Sequence, residues 1–281
     1  MKKLLFTIFI FTALFAPFLS ARAAEPVKIL LVPGHDNEIW GAQYGNVKEA
    51  AMNLAVAKRI YNILKKDKRF EVHITRDLKG YTKEFADYFS ANAGEIVSFR
   101  DKAKNEWGNK VESGDIIERE AVPHNSATED VSIILYGINK WANENKMDAV
   151  IHIHFNDYPR KDAWTIGKHT GFAVYMPDGQ MPNFQKSGTF AANIAMELEK
   201  KYNTSTYEKE KGGLIADQKL IALGSNGTLL PFVRSVLMEY GYIYEKKFRN
   251  YTTRHQAYDD MAKLTAAGIK NYFFHPTPPS P

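Results

Sequence analysis

Short runs of apolar and branched residues at 27–32, 72–75, 149–154, 171–175 and 235–239 alternate with stretches whose apolar residues recur every three or four positions. Each run is short and bounded by polar or turn-forming residues, the pattern of a buried strand. Between them Val47, Ala50, Leu54, Ala57, Ile60 and Leu64 mark one helical stripe. Phe190, Ile194, Leu198 and Tyr202 mark a second, and Ala257, Met261, Leu264 and Tyr272 a third. Alternation of this kind builds a single α/β domain, a twisted sheet that is mostly parallel or mixed, with helices on both faces. Such sheets take their ligands at the carboxyl ends of the strands, so chemistry is expected at that edge.

The domain occupies residues 24–275. Before it, Lys2 and Lys3 precede an apolar run from Leu4 to about Leu19 that closes on Ala21-Arg22-Ala23, the pattern of a secretory signal peptide at 1–23. An uncleaved anchor is the rival reading, although the run is at the short end for crossing a bilayer. Export to the periplasm, cell envelope or extracellular space is expected, with no stable membrane insertion after cleavage. Cleavage also removes three of the 37 basic residues, so that 32 acidic ones nearly balance the rest. No broad basic excess is left to bind nucleic acid. The absence of cysteine excludes disulfides, thiolate metal ligands and a cysteine nucleophile. Residues 276–281 form a Pro-rich tail that cannot continue a helix.

One stretch breaks the alternation. Residues 79–125 are long and charged, with helical patterns around 85–89 and 96–107, and read as an insertion. Its aromatic residues Tyr81, Phe85, Phe89 and Trp107 exceed what a solvated loop requires. It is expected either to flank the substrate path or to cap a sheet edge. Ser126 with Glu129 three residues on reads as a capping box, opening a helix that runs to about Asn145.

Five residues fall where a site belongs. His35 follows the first strand at once, in Pro33-Gly34-His35. His152 and His154, two apart in the third apolar run, Ala149-Val150-Ile151-His152-Ile153-His154, project from one face of their strand. Glu239 closes an apolar Val-Leu-Met run, and Glu49 opens the first helix. Each has an ordinary alternative: a loop hydrogen bond for His35, a bonded structural pair for the two histidines, and capping electrostatics for Glu49. Taken together, two neutral imidazoles and a carboxylate fill three positions of a tetrahedral zinc ion and leave the fourth for water, with a further carboxylate as base. Nitrogen and oxygen donors without thiolate make zinc the expected ion, one per chain.

Here the sequence resembles the zinc-dependent N-acetylmuramoyl-L-alanine amidases of the Amidase_3 type. Gly34-His35, followed by Gly41-Ala42, keeps the length and outer residues of that family's first motif. Glu49 with Asn53-Leu54, Thr75-Arg76, His154-Phe155-Asn156 and Glu239-Tyr240-Gly241-Tyr242 follow in the family's order. The resemblance implies His35, Glu49 and His154 as zinc ligands and Glu239 as the catalytic carboxylate. It marks His152, which stands where the family has serine, together with Asn156 and Arg76, as groups that orient the ligands or touch substrate. Asp36-Asn37 and Ile39-Trp40 depart from the family at the rim of the site, and the asparagine expected shortly after the catalytic Glu is not evident, with Tyr244 near that place. The implied reaction is hydrolysis of the amide bond between N-acetylmuramic acid and L-alanine, which makes peptidoglycan the partner. No activator protein is indicated. Another zinc-dependent cell-wall hydrolase, a peptidase or deacetylase, is the alternative, and a non-catalytic wall-binding relative the remaining one.

Overall fold

Buried alternation along the strands decides how the sheet is covered. A computed structural model describes residues 25–124 and 127–275. The expected signal peptide at 1–23, the expected Pro-rich tail at 276–281 and Ser126 lie outside the described residues. In chain order the elements are β1 (Val27–Pro33), β2 (Gln43–Tyr44), β3 (Val47–Lys48), α1 (Glu49–Leu64), β4 (Phe70–Ile74), α2 (Lys83–Ala91) and α3 (Ala93–Glu112). Then follow α4 (Glu129–Glu144), β5 (Ala149–Asn156), β6 (Ala173–Pro177), α5 (Phe184–Glu199), β7 (Leu214–Asp217), β8 (Arg234–Tyr242), α6 (Lys246–Arg249) and α7 (Tyr251–Phe274).

The main sheet has six strands in the order β4-β1-β5-β8-β6-β7. The first four are mutually parallel, β6 runs antiparallel to β8, and β7 is parallel to β6. This is the mixed α/β sheet expected from the alternation. Helices α1, α5 and α7 cover one face, where Ile151, Ile153 and Phe155 of β5 meet Val236, Met238 and Tyr240 of β8. Full burial of such side chains stabilises the fold by about 1.5–3 kcal/mol each. Val150, with Leu30 and Val32, enters a second core on the opposite face with Trp141 and Ile138 of α4. By the two-residue period of a strand, His152 and His154 share Val150's side.

The stretch at 79–125 has two physical parts. Its helical part is anchored on the second core by a few residues: Phe85 is fully buried, with its ring 4.7 Å from that of Trp141, and Tyr81, Tyr88 and Phe89 pack partly buried around it. Residues 116–124 cross β6 and β7. There Gln180 bonds the Ile117 backbone in both directions, Arg119 pairs with Asp178 at 2.8 Å, and Val122 packs on Tyr175 and Leu237.

Two details differ from the sequence reading. Helix α4 is capped by Thr128, whose hydroxyl accepts from the Val131 amide at 3.4 Å, so it starts two residues after the expected cap. Strand β7 was not expected: it has four residues, alternately exposed and buried at the sheet edge, and follows Gly212-Gly213. So short a run carries little period-two signal.

Candidate active site

Strand β1 ends in a turn built to let another strand's side chain come close. A Cβ on Gly34 would lie 2.1 Å from His154 Cε1 and 2.2 Å from its Nε2, so only glycine fits beneath that ring. The buried guanidinium of Arg76 fastens the turn by donating to the carbonyls of Pro33 (3.0 Å), Gly34 (3.0 Å) and Ala50 (2.6 Å). Arg76 therefore ties the end of β1 to α1, with its donors turned to backbone. His35 follows with φ of 60°, a left-handed conformation that costs a non-glycine residue on the order of 1 kcal/mol. Gly41, at φ 71°, passes so close that a Cβ would sit 2.4 Å from Glu49 Oε2 and from the His35 ring.

Glu49 is the first residue of α1 and is 4% exposed. His35 Nε2 lies 3.1 Å from its Oε2, and His154 Nδ1 lies 3.0 Å from its Oε1. The amides of Ala42 (2.9 Å) and Phe155 (3.2 Å) and the Asn53 side chain (3.2 Å) also donate to this carboxylate. Burial alone would raise its pKa, but the hydrogen bonds from His154 and His35 outweigh that and hold it well below the usual carboxylate range. Burial lowers the pKa of His154 despite the adjoining Glu49, whereas for His35 the carboxylate overcomes burial and raises it. The two imidazole rings stand edge to face, 5.1 Å apart.

One donor atom from each of His35, Glu49 and His154 falls within 4.8 Å of the others. A tetrahedral zinc ion with donors at about 2.0–2.1 Å keeps neighbouring donors roughly 3.3 Å apart. The 3.0 and 3.1 Å contacts run to the two different oxygens of Glu49, so each histidine already stands at about ligand spacing from the carboxylate, and the donor set of two imidazoles and a carboxylate fits a divalent ion.

Glu239 pairs in register with His154 on the adjacent parallel strand, and both project from the same face. It is 8% exposed, and its Oε2 has no hydrogen-bond partner among the described residues. Burial, then the negative charges of Glu49 and Glu210, push its pKa well above the ordinary carboxylate value. His152 lies one pleat deeper, opposite Leu237, and is 1% exposed with Nε2 unpartnered. Burial, with a smaller contribution from His154, drops its pKa to about 3, so the ring is neutral.

Asn156 makes its hydrogen bond to a carboxylate beside the donor cluster, Glu210, whose charge also acts on Glu239. The Asn156 amide donates to Glu210 at 2.7 Å, and the same buried carboxylate accepts from Tyr175 (2.6 Å), Ser205 (2.5 Å) and Tyr242 (2.9 Å). Glu210 was not singled out in the sequence, nor was His124, whose ring stands 5.0 Å from that of Tyr175. Tyr175 shares the sheet face of Leu237 and Glu239, so the last turn of the 79–125 stretch reaches this side of the site.

A family profile described as N-acetylmuramoyl-L-alanine amidase, Amidase_3, matches residues 115–271, more than half of the chain. The chain belongs to this amidase family. Its reaction is hydrolysis of the amide bond between N-acetylmuramic acid and L-alanine in peptidoglycan. The matched span holds His154 and Glu239, while His35 and Glu49 precede it and join them only through the fold. Among solved structures, the CwlD amidase of Clostridioides difficile, in complex with the GerS lipoprotein, is similar at 16% identity with a TM-score of 0.56. That similarity covers 88% of this chain and 98% of that one. The apo form of the amidase Ami1 of Mycobacterium abscessus matches at 16% identity and a TM-score of 0.55, covering 88% of this chain and 99% of that one. The catalytic domain of CwlV from Bacillus (Paenibacillus) polymyxa var. colistinus gives 16% and 0.53, covering 88% and 97%. At this identity the likeness shows the shared fold. A sequence search among curated proteins found no match.

Proposed function

We propose that the chain is a zinc-dependent amidase of the cell wall in which His35, Glu49 and His154 hold the ion and Glu239 moves the protons. The observation that carries this reading is the convergence of three donors beside a buried carboxylate that has a free oxygen. An ion held by these three residues would supply Lewis acidity toward the amide carbonyl and toward water. Glu239 takes the proton of the attacking water and returns one to the alanine nitrogen as the amide bond breaks. Its raised pKa suits a group that must both accept and release a proton. Arg76, by holding the Gly34 carbonyl, and Asn53, which donates to the same carbonyl at 2.9 Å, keep His35 facing Glu49. Neutral His152 supports the floor beneath His154.

The test is digestion of purified peptidoglycan followed by mass spectrometry. The zinc-loaded protein, with one zinc per chain by elemental analysis, releases glycan ending in a free lactyl carboxylate and peptides with a new L-alanine amino terminus. His154→Ala loses both the zinc and these products. Cleavage inside the peptide, or loss of acetate alone, would instead identify a peptidase or a deacetylase.

Export belongs to the same reading, because the substrate lies outside the cytoplasmic membrane. No helix among the described residues is long and apolar enough to cross a membrane. The expected amino terminus of protein recovered from the envelope is at or beside Ala24, and an intact Met1 on the exported protein would show an anchor instead.

A further inference from the structure

A cavity of about 570 Å³ opens at the same edge of the sheet, and none of His35, Glu49, His154 or Glu239 lines it. Ile166 and Thr170, from the loop after β5, form one wall, and Tyr244, just after β8, forms another. Lys246 and Arg249 of α6 and Thr253 of α7 complete it. The cavity is thus built by the continuations of the two strands that deliver His154 and Glu239.

Its charge is unbalanced. Glu245, the carboxylate in the wall, is already engaged by the amides of Gly171 (3.0 Å) and Tyr242 (2.8 Å) and by Lys247 Nζ (2.6 Å). The side chains of Lys246 and Arg249, three residues apart on α6 and exposed, make no ion pair or hydrogen bond among the described residues. Ile166, 53% exposed at the rim, supplies apolar surface, backed by the fully buried Tyr244. An apolar wall with two free cations fits a peptide that carries carboxylates.

The loop is also fixed in place before any ligand arrives. Arg160 donates to the Gln43 carbonyl at 2.8 Å and stacks over Tyr244, with its guanidinium carbon 5.2 Å from the ring centroid. Asn156 and Tyr242 are the last paired residues of β5 and β8, and Tyr244 follows only two positions later. An extended peptide of four residues spans roughly 13 Å, on the scale of the short stretch of β8 and its following turn that leads from Glu239 to Tyr244.

We propose that this cavity binds a carboxylate of the peptidoglycan stem peptide through Lys246 and Arg249, and so selects substrates by the charge of that peptide. The inference rests on the amidase reading for the identity of the ligand, and its test separates the two. The probes are a synthetic stem tetrapeptide with two free carboxylates and the same peptide with both converted to amides. Calorimetry with the intact chain measures binding of each to wild type and to the Lys246→Gln/Arg249→Gln double variant, with melting temperatures compared to verify folding. The expected result is that the acidic peptide binds the variant at least tenfold more weakly, while the amidated peptide binds both proteins alike. On a muramyl tetrapeptide substrate, KM rises about tenfold with kcat kept within about twofold, and Lys246→Arg retains the wild-type KM. Equal binding of the acidic peptide to both proteins, or no binding to wild type, overturns the proposal. Binding that depends on the two cations, in a protein that does not cleave the muramyl amide, would keep the cavity and remove the amidase reading.

Discussion

Glu239→Gln lowers turnover by roughly two to four orders of magnitude while zinc content stays that of wild type. Glutamine keeps the shape of the side chain but cannot take a proton from water. Because Glu239 Oε2 has no partner, no hydrogen bond at that atom is lost with the charge. The carboxyl is also crowded by the negative charges of Glu49 and Glu210 within a buried setting, which is why its pKa is raised. Glutamine matches the carboxyl in size and shape, so a variant that keeps the wild-type melting temperature shows that the loss of turnover is not a loss of fold. Three measurements decide the matter: turnover on a soluble muropeptide, zinc by elemental analysis, and the thermal midpoint. Zinc lost together with activity would make Glu239 a ligand. Unchanged turnover would take it out of the mechanism.

The parts of the site that were legible in the sequence lie at the ends of regular elements. His35 and Glu239 each follow an apolar run that a buried strand requires, and His154 belongs to a run whose alternation sets its face. Glu49 was weaker evidence, since an acidic residue in a helix's first turn is ordinary; its burial and its two histidine neighbours exist only in three dimensions. Arg76 was recognisable as a motif residue, yet its donors go to the backbone carbonyls of Pro33, Gly34 and Ala50. Asn156 was likewise recognisable, and its amide serves Glu210. Glu210 itself sits in a single 3-10 turn between two lysines, which reads locally as a solvated charge cluster. Nothing in the local sequence announces that Tyr175, Tyr242 and Asn156 converge on it from three strands, joined by Ser205 from five residues earlier. The same holds for His124, carried to Tyr175 by an irregular strand-crossing segment whose path is set by contacts with Gln180, Asp178 and Gln218. Periodicity reports on faces of helices and strands, and irregular backbone has no period to read.

Gly34 shows the same limit at its sharpest, and it yields the second large effect. Gly34→Ala is expected to abolish stoichiometric zinc binding and, with it, activity. A methyl group at this position meets His154 Cε1 at 2.1 Å, Nε2 at 2.2 Å and Nδ1 at 2.7 Å, so the ring must move by more than an ångström. It has little room to do so. Its Nδ1 is held by Glu49, its strand neighbour in register is Glu239, and the His35 ring stands 5.1 Å away. The turn cannot yield either, because the Gly34 amide donates to the Ile153 carbonyl at 2.9 Å while its own carbonyl accepts from Arg76 and Asn53. Overpacking a well-filled interior costs typically 1–3 kcal/mol, so the variant should fold with a lower melting temperature and a displaced imidazole. Gly94→Ala provides the comparison: Gly94 lies in the first turn of α3, and a Cβ there has nothing within 4 Å. That change should leave zinc and turnover intact and, as a glycine to alanine change in a helix, leave stability equal or higher by up to about 1 kcal/mol. Elemental analysis and melting curves of the two variants make the contrast. If Gly34→Ala retains one zinc per chain and wild-type turnover, His154 cannot be the ligand that this geometry assigns.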